Sequence, residues 1–397
     1  MADIRSYIKE KEKREKKRGD YKEKIAKHKQ VVWFRILLTA GVLAVMVIFT
    51  VIQYKRHVYT GYDVIDSVGR ETVSGATDLR LGNAILTYSK DGAHCTNSKG
   101  NINWNQTFEI QDVMYVVNRN TMALGDYNGR SIYLADTEKL FGEITTTMPI
   151  QNLTVSENGR VAVVLADTNV TWINIYDSNG EHVFEGQAHM DDSGYPIAIS
   201  LSPNGQMLCV SYVYLDAGVM KTEVAFYNFG LVGSNVSDFL VSSFSYPDLV
   251  PCVGFLDDNT AFAVGDGRLV VFSGGHKPTQ EMQRLYEREI QSVYYSDRYI
   301  GLVFLSDDTE HRYRLDVYDK SSGGMDSFYF DVEYTDIFFE KNDFVAYNET
   351  DCQIITMDGI EKYNGSFSKA VRLMLPTESA YRYILVTDQE METIQLK

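Results

Sequence analysis

Two stretches of the chain share one pattern. "VSENGRVAVVLADTN" begins at Val155, and "LSPNGQMLCVSYVYL" begins 46 positions later at Leu201. Each sets a tight polar turn before a run of β-branched, aromatic and other apolar residues, the signature of a turn feeding a buried strand. The same punctuation recurs near Gly82 ("LGNAILTYS"), Asn118 ("NRNTMALGDY") and Asp257 ("LDDNTAFAVGD"). Further copies lie near Asp297 ("SDRYIGLVFL"), Lys341 ("EKNDFVAYNE") and Thr377 ("PTESAYRYILVTD"). Counted through Glu157 and Pro203, the intervals are 36, 39, 46, 54, 40, 44 and 36 residues. A propeller blade of four strands and four turns needs roughly 40 to 45 residues. The pattern therefore predicts an all-β propeller with eight blades, seven being the alternative if the period is longer, and each turn is expected to precede the innermost strand of its blade. A single β-sandwich is too small for so many strands, and a β-helix repeats at a shorter period.

Hairpin signals agree with this reading. "INIYDSNGEHVF" carries an Asn-Gly turn between two strand patterns, and "LVVFSGGH" and "LDVYDKSSGGMDSFYF" repeat the outline. After residue 60 one segment, "TQEMQRLYEREIQS", reads as an amphipathic helix. The last unit is short: "RYILVTD" and "METIQLK" leave it with three strands. The expected fourth is "GYDVIDSVG", residues 61 to 69, with Val64 and Val68 on its buried side, joining the ends of the ring and removing an open edge.

The N-terminal pattern is different. "VVWFRILLTAGVLAVMVIFTVIQY", residues 31 to 54, is apolar on all sides and carries no charge from Ile36 to Tyr54. That stretch spans about 28 Å as a helix, close to the hydrocarbon thickness of a bilayer. Arg35 can reach the headgroups, and Trp33 and Tyr54 sit where interfacial aromatics are favoured. The basic segment before it is too long for a signal peptide, and "QYKRHVY" offers no small-x-small cleavage site, so an uncleaved signal anchor is expected. Residues 1 to 30 hold twelve Lys/Arg and six Asp/Glu, which predicts a cytoplasmic N-terminus and an extracytoplasmic body. The resulting organisation is a basic cytoplasmic arm (1–30), helical apart from a break near Gly19; a transmembrane anchor (31–54); a short linker (55–60); and the propeller (61–397). The arm is also suited to contact with anionic lipid.

Charge and cysteines narrow the classes of function. The whole chain carries a net −16, but the +6 of the arm and the three basic residues of 31–57 leave the remainder with 23 basic and 48 acidic residues, a net of −25. Phosphate recognition needs Lys and Arg, so nucleic acid is excluded as a partner. Cys95, Cys209, Cys252 and Cys352 form no C-x-x-C pair, which argues against zinc and thioredoxin-like chemistry. Each reads as a small buried hydrophobe, with Cys209 and Cys252 the pair whose linkage would be tested.

The arm "YIKEKEKREKK", the anchor "WFRILLTAGVLAVMVIF" and the turns "VSENGRVAVV" and "LSPNGQMLCV" together resemble a family of unknown function: single-pass membrane proteins of Gram-positive bacteria with a WD40- or PQQ-like propeller outside the membrane. The resemblance implies fold and location and carries no activity. "SKDGAHCTNSKGNINW" is also similar to one quinoprotein repeat, with Gly100 and Trp104 at the matching places. The chain's other tryptophans, Trp33 and Trp172, do not continue that pattern, which argues against a quinoprotein ring.

Candidate chemistry is sparse. The seven histidines (His28, His57, His94, His182, His189, His276 and His311) show no metal-ligand spacing, and no G-x-S-x-G elbow is present. Asp126, Asn128 and Gly129 in "GDYNGR" read as turn chemistry and not as a Ca²⁺ loop, since the closing Glu is missing. Asp191 and Asp192 in "MDDSG" read as an interblade loop. The Asn-x-Ser/Thr triplets at Asn105, Asn152, Asn169, Asn235, Asn348 and Asn364 bear only on a eukaryotic secretory pathway. The expectation is therefore a non-enzymatic binding or scaffolding module without cofactor or metal, recognising an extracytoplasmic protein, peptide or wall polymer. The runner-up is a quinoprotein-like enzyme or small-ligand propeller, and a receptor signalling to the arm is third.

Overall fold

The computed structural model describes every residue except Met1, Thr72, Ser74, 167–169 and 190–193. It comprises two compact units, Met1–Val58 and Tyr59–Lys397.

The first unit is one helix, Ala2–Arg56. It runs through Gly19 without the expected break. A glycine costs a helix about 1 kcal/mol relative to Ala, too little to interrupt the Lys, Glu and Arg residues on either side, all good helix formers. Its apolar stretch, at a mean hydropathy of 2.4, is long and apolar enough to cross a membrane.

The second unit is an eight-bladed propeller. Seven blades are four-stranded sheets of consecutive antiparallel strands, and the eighth orders Leu373–Pro376, Arg382–Val386, Glu390–Leu396 and then Tyr62–Gly69. The first strand of each blade lines the centre, where strands such as Val113–Asn118, Ile150–Val155 and Tyr195–Leu201 meet their neighbours. The repeated turns consequently fall between the innermost and second strands, one strand later than the pattern suggested. The second strand draws attention in sequence because it is covered on both faces, as in the fully buried run Val161–Leu165.

The turns explain their own repetition. In the third blade the buried Ser156 hydroxyl accepts from the Arg160 amide at 2.9 Å, and Gly159, at φ +81°, closes the turn to the Ser156 carbonyl at 3.1 Å. In the fourth, the Ser202 hydroxyl and Gly205 do the same with Met207 and Ser202. Each turn then bonds to the next blade. Asn158 donates to the Asn204 carbonyl at 2.8 Å, and the Asn204 amide donates to Asp258 at 2.8 Å. The repeats form a polar girdle around one face of the ring.

The apolar core lies between blades. Each interface has its own layer, from fourteen buried residues between the fourth and fifth blades to six between the eighth and first: Ile85, Leu373, Leu375, Ile384, Val386 and Met391. This thinnest layer is the seam where the ring closes. Tyr62–Gly69 pairs there with the last strand, Tyr62 opposite Leu396 and Gly69 opposite Glu390, with a bulge between Val64 and Asp66. The expected closure is present, but Val64 is 46% exposed, because Tyr62–Gly69 is the outermost strand and has little sheet beyond it; Val68 alone is half-buried.

Ionic contacts supplement the seam. The Asp78 carboxylate, 1% exposed, accepts from Arg70 at 2.7 and 3.1 Å and from the Thr87 hydroxyl at 2.6 Å, with Arg372 at 3.4 Å. Arg70 follows the closing strand, Asp78 belongs to the first blade and Arg372 precedes the last three strands. One carboxylate thus joins both ends of the propeller.

The segment "TQEMQRLYEREIQS" is not helical: Thr279–Leu285 is the outer strand of the fifth blade. As an outermost strand it buries little on either face, so charged residues there do not imply a helix.

Candidate functional site

The fourth blade departs from the others. Between its third and fourth strands lie eleven residues, Phe229–Phe239, where the preceding blades use three to five. The insertion contains two short 3-10 turns, Gly233–Asn235 and Ser237–Phe239. Asp238 and Phe239 are successive non-glycine residues at φ +57° and +59°, a left-handed pair that needs surrounding contacts to hold it. Those contacts are aromatic. The Phe239 ring meets Phe184 edge-on at 5.4 Å and Phe229 at 5.6 Å, and Phe184 lies 4.8 Å from Phe229. Apolar side chains of the insertion are left bare, with Gly233 buried between them: Leu231 is 89% exposed, and Val232 and Val236 are also exposed.

The insertion forms one wall of a cleft of ≈ 890 Å³ between the third and fourth blades. The other wall is His182–His189, the outermost strand of the third blade. Six consecutive residues of that strand, His182 to Gln187, line the cleft. Successive side chains of a strand point to opposite faces. Phe184 packs with Ile173 and Ile175 toward the fourth blade, whereas Gln187 pairs with Trp172, which packs toward the second. The cleft also reaches Leu208, Tyr212 and Tyr227 of the fourth blade, so it opens between the two blades beside the outermost strand of the third. Among the described residues, no backbone hydrogen bond engages His182–Gln187 apart from those to the neighbouring strand Val170–Tyr176.

The lining carries the carboxylates of Glu185 and Asp238 and the imidazole of His182, and no Lys or Arg. His182 stacks edge-on against Tyr176 at 5.4 Å. At the floor, Tyr212 and Tyr227 share a hydroxyl–hydroxyl bond of 3.0 Å, and burial pushes both phenols upward, so they remain neutral hydrogen-bonding groups.

The central channel offers a smaller space of ≈ 230 Å³. Its Arg119 pairs with Glu157 at 2.5 Å and donates to the Leu256 carbonyl across the centre at 3.2 Å. Apolar and hydroxyl side chains, such as Val117, Thr154, Ser200 and Tyr295, line it together with Asn118 and Asp297. The guanidinium is thus already engaged by groups of the ring itself.

The residues singled out in sequence are dispersed. His94 lies near the seam, where burial and then Arg70 lower its pKa. His311 is at the surface, its Nδ1 3.1 Å from Asp331, which raises its pKa. Asp126 organises a turn, accepting from the amides of Gln111 and Asp112 at 3.1 Å each. Trp104 donates its indole N–H to the Asp136 carbonyl of the next blade at 2.7 Å, a docking role. Asn169, Asp191 and Asp192 lie outside the described residues. Among the described residues, no three His, Cys, Asp or Glu side chains converge as a metal site would require. All four cysteines are free thiols. Burial pushes Cys95 up to about 12 and Cys252 to about 11, which leaves them unreactive near neutrality. The 54-residue spacing from Pro203 to Asp257 was the sequence signal for the cleft; it contains the insertion without showing what that faces.

Comparison with solved structures supports the architecture. Sqt1 of Saccharomyces cerevisiae aligns with a TM-score of 0.53 at 12% identity, over 86% of this chain and 99% of that one. Sqt1 of Chaetomium thermophilum, bound to the N-terminus of a ribosomal protein, aligns with a TM-score of 0.53 at 13% identity, over 85% of this chain and 100% of that one. At such identities the likeness is one of fold. No curated protein matches the sequence. Residues 55–396 match the family of unknown function DUF5711, and the chain belongs to that family.

Proposed function

We propose that this protein is a membrane-anchored, non-catalytic binding or scaffolding module, its N-terminal arm in the cytoplasm and its propeller at the outer face of the cytoplasmic membrane. The observation that carries the reading is the cleft between the third and fourth blades, walled on one side by an insertion that also exposes Leu231, Val232 and Val236. A ring holding a cleft lined by apolar and hydrogen-bonding groups is suited to recognition. The twelve basic residues of the arm favour its cytoplasmic placement and contact with anionic lipid. The C. thermophilum neighbour, with its bound polypeptide terminus, provides a precedent for a ring of this fold as a protein-binding surface.

Affinity capture tests the reading. The tagged full chain, solubilised from membranes of its own cells, should retain one protein in near-stoichiometric amount. Recovery of the chain alone, across detergents and salt concentrations, would refute the binding role. A chromophore bound to the purified chain, or dye reduction on adding a quinone, would refute the non-catalytic part.

A further inference from the structure

We infer that the cleft takes an extended, cationic segment of a partner protein, which adds as a fifth strand to the outer edge of the third blade along His182–Gln187; the inference rests on the binding role proposed above. The shape of the cavity supports this. It lies against six consecutive residues of the blade's outermost strand, whose outer backbone N–H and C=O groups await a partner.

The chemistry of the two walls sets the sequence of the segment. On the side of the fourth blade, Phe184, Phe239 and Leu240 present apolar surface, suited to Val, Leu or Phe at every second position. Glu185 lies across from Asn174 on the opposite face, its carboxylate 3.5 Å from the Asn174 amide nitrogen, and Asp238 lies on the insertion. Neither carboxylate has a Lys or Arg in the lining, and the region beyond residue 57 carries a net of −25. Lys or Arg between the apolar positions would face Glu185, Asp238 on the insertion adds negative charge along the cleft, and the overall charge favours approach of a basic chain. The same charge disfavours an anionic wall polymer.

The probe is a fluorescein-labelled (Lys-Val)5 peptide, titrated by anisotropy against the full chain in uncharged detergent. Saturable binding is expected, weakened at least tenfold by Val183→Lys and by the shape-preserving pair Glu185→Gln with Asp238→Asn. Two further peptides carry N-methyl groups on all Val or on all Lys amides. Because alternate amides of a strand point to opposite edges, one should bind at least tenfold more weakly than the other. Absence of saturable binding, equal binding of (Glu-Val)5 at the cleft, or undiminished binding of both N-methylated peptides would overturn the proposal. So would a dimer of the chain that Val183→Lys abolishes, since the edge would then belong to a second copy. If the protein captured from membranes stays bound to these variants, the binding role stands and the edge-strand site falls.

Discussion

Replacing Asp78 with Ala should destabilise the propeller more than any other single change at the seam. The carboxylate is 1% exposed, Arg70 is 10% exposed, and the two make a bidentate pair, with Thr87 and Arg372 completing the set. Removing one partner of a buried pair leaves the other charge uncompensated and costs about 3–5 kcal/mol. The apolar layer here has six buried residues and cannot absorb that loss by repacking. The ring unit Tyr59–Lys397 has 339 residues. At about 2.1 cal/mol/K per residue its unfolding entropy is about 0.7 kcal/mol/K, so the midpoint should fall by about 4–7 °C. Calorimetry of wild type, Asp78→Ala, Arg70→Ala and the double variant gives the coupling directly. The double variant should lose little more than Asp78→Ala alone, because the stranded charge has gone with its partner. A shift below 1 °C for Asp78→Ala, or strictly additive losses, would show that the ring closes without this cluster.

Other expectations follow from the same geometry. A chain beginning at Tyr59 should be monomeric, whereas one beginning at Ser74, lacking the closing strand, should expose an edge and aggregate or melt several degrees earlier by size-exclusion chromatography and thermal unfolding; equal behaviour would make residues 59 to 73 a mere linker. Asp343 is raised to about 6 by burial, against attraction from Lys362. Its folded pKa exceeds the unfolded value, so it contributes stability that is full below about pH 4 and lost as pH rises through 6, about 3 kcal/mol in all. Asp343→Asn should flatten stability between pH 4 and 7 and raise the midpoint at pH 7.5; an unchanged pH profile in urea denaturation would refute this. Trp104→Phe should cost about 1 kcal/mol, the indole bond to Asp136, seen as a lower urea midpoint. Protease added to wall-stripped cells should release the propeller and spare a tag placed before Met1, and the reverse would invert the proposed topology.

The repeat count and the closing strand could be read from the chain because both depend on local chemistry. Turns such as "SENG" and "SPNG" need a hydroxyl, an Asn and a glycine at fixed places, and a short last blade demands a strand from elsewhere. Strand depth was less legible. The second strands are largely buried on both faces, as in Val161–Leu165, and read as innermost, while true inner strands such as Ile150–Val155 mix polar and apolar residues because one side meets the channel. Outer strands gave the least signal: "TQEMQRL" has no periodicity because neither of its faces is well covered. The cleft was legible only as a lengthened interval. Its aromatic contacts join Phe184 to Phe229 and Phe239, residues of two blades, and the edge of His182–His189 becomes a site only because the insertion stands opposite. Asp78, Arg70 and Arg372 were equally hidden, since their meeting depends on ring closure between residues almost 300 positions apart in the chain.

A photo-crosslinking amino acid at Val183, in the full chain within living cells, tests the binding role and its place together. Val183 is 44% exposed on the cleft edge, and Tyr329, 42% exposed on the outer strand of the sixth blade, serves as the reference. One discrete adduct with a second protein is expected at Val183, lost when Glu185→Gln and Asp238→Asn are introduced, and none at Tyr329. No adduct at Val183, or the same adducts at both positions, would contradict the binding role.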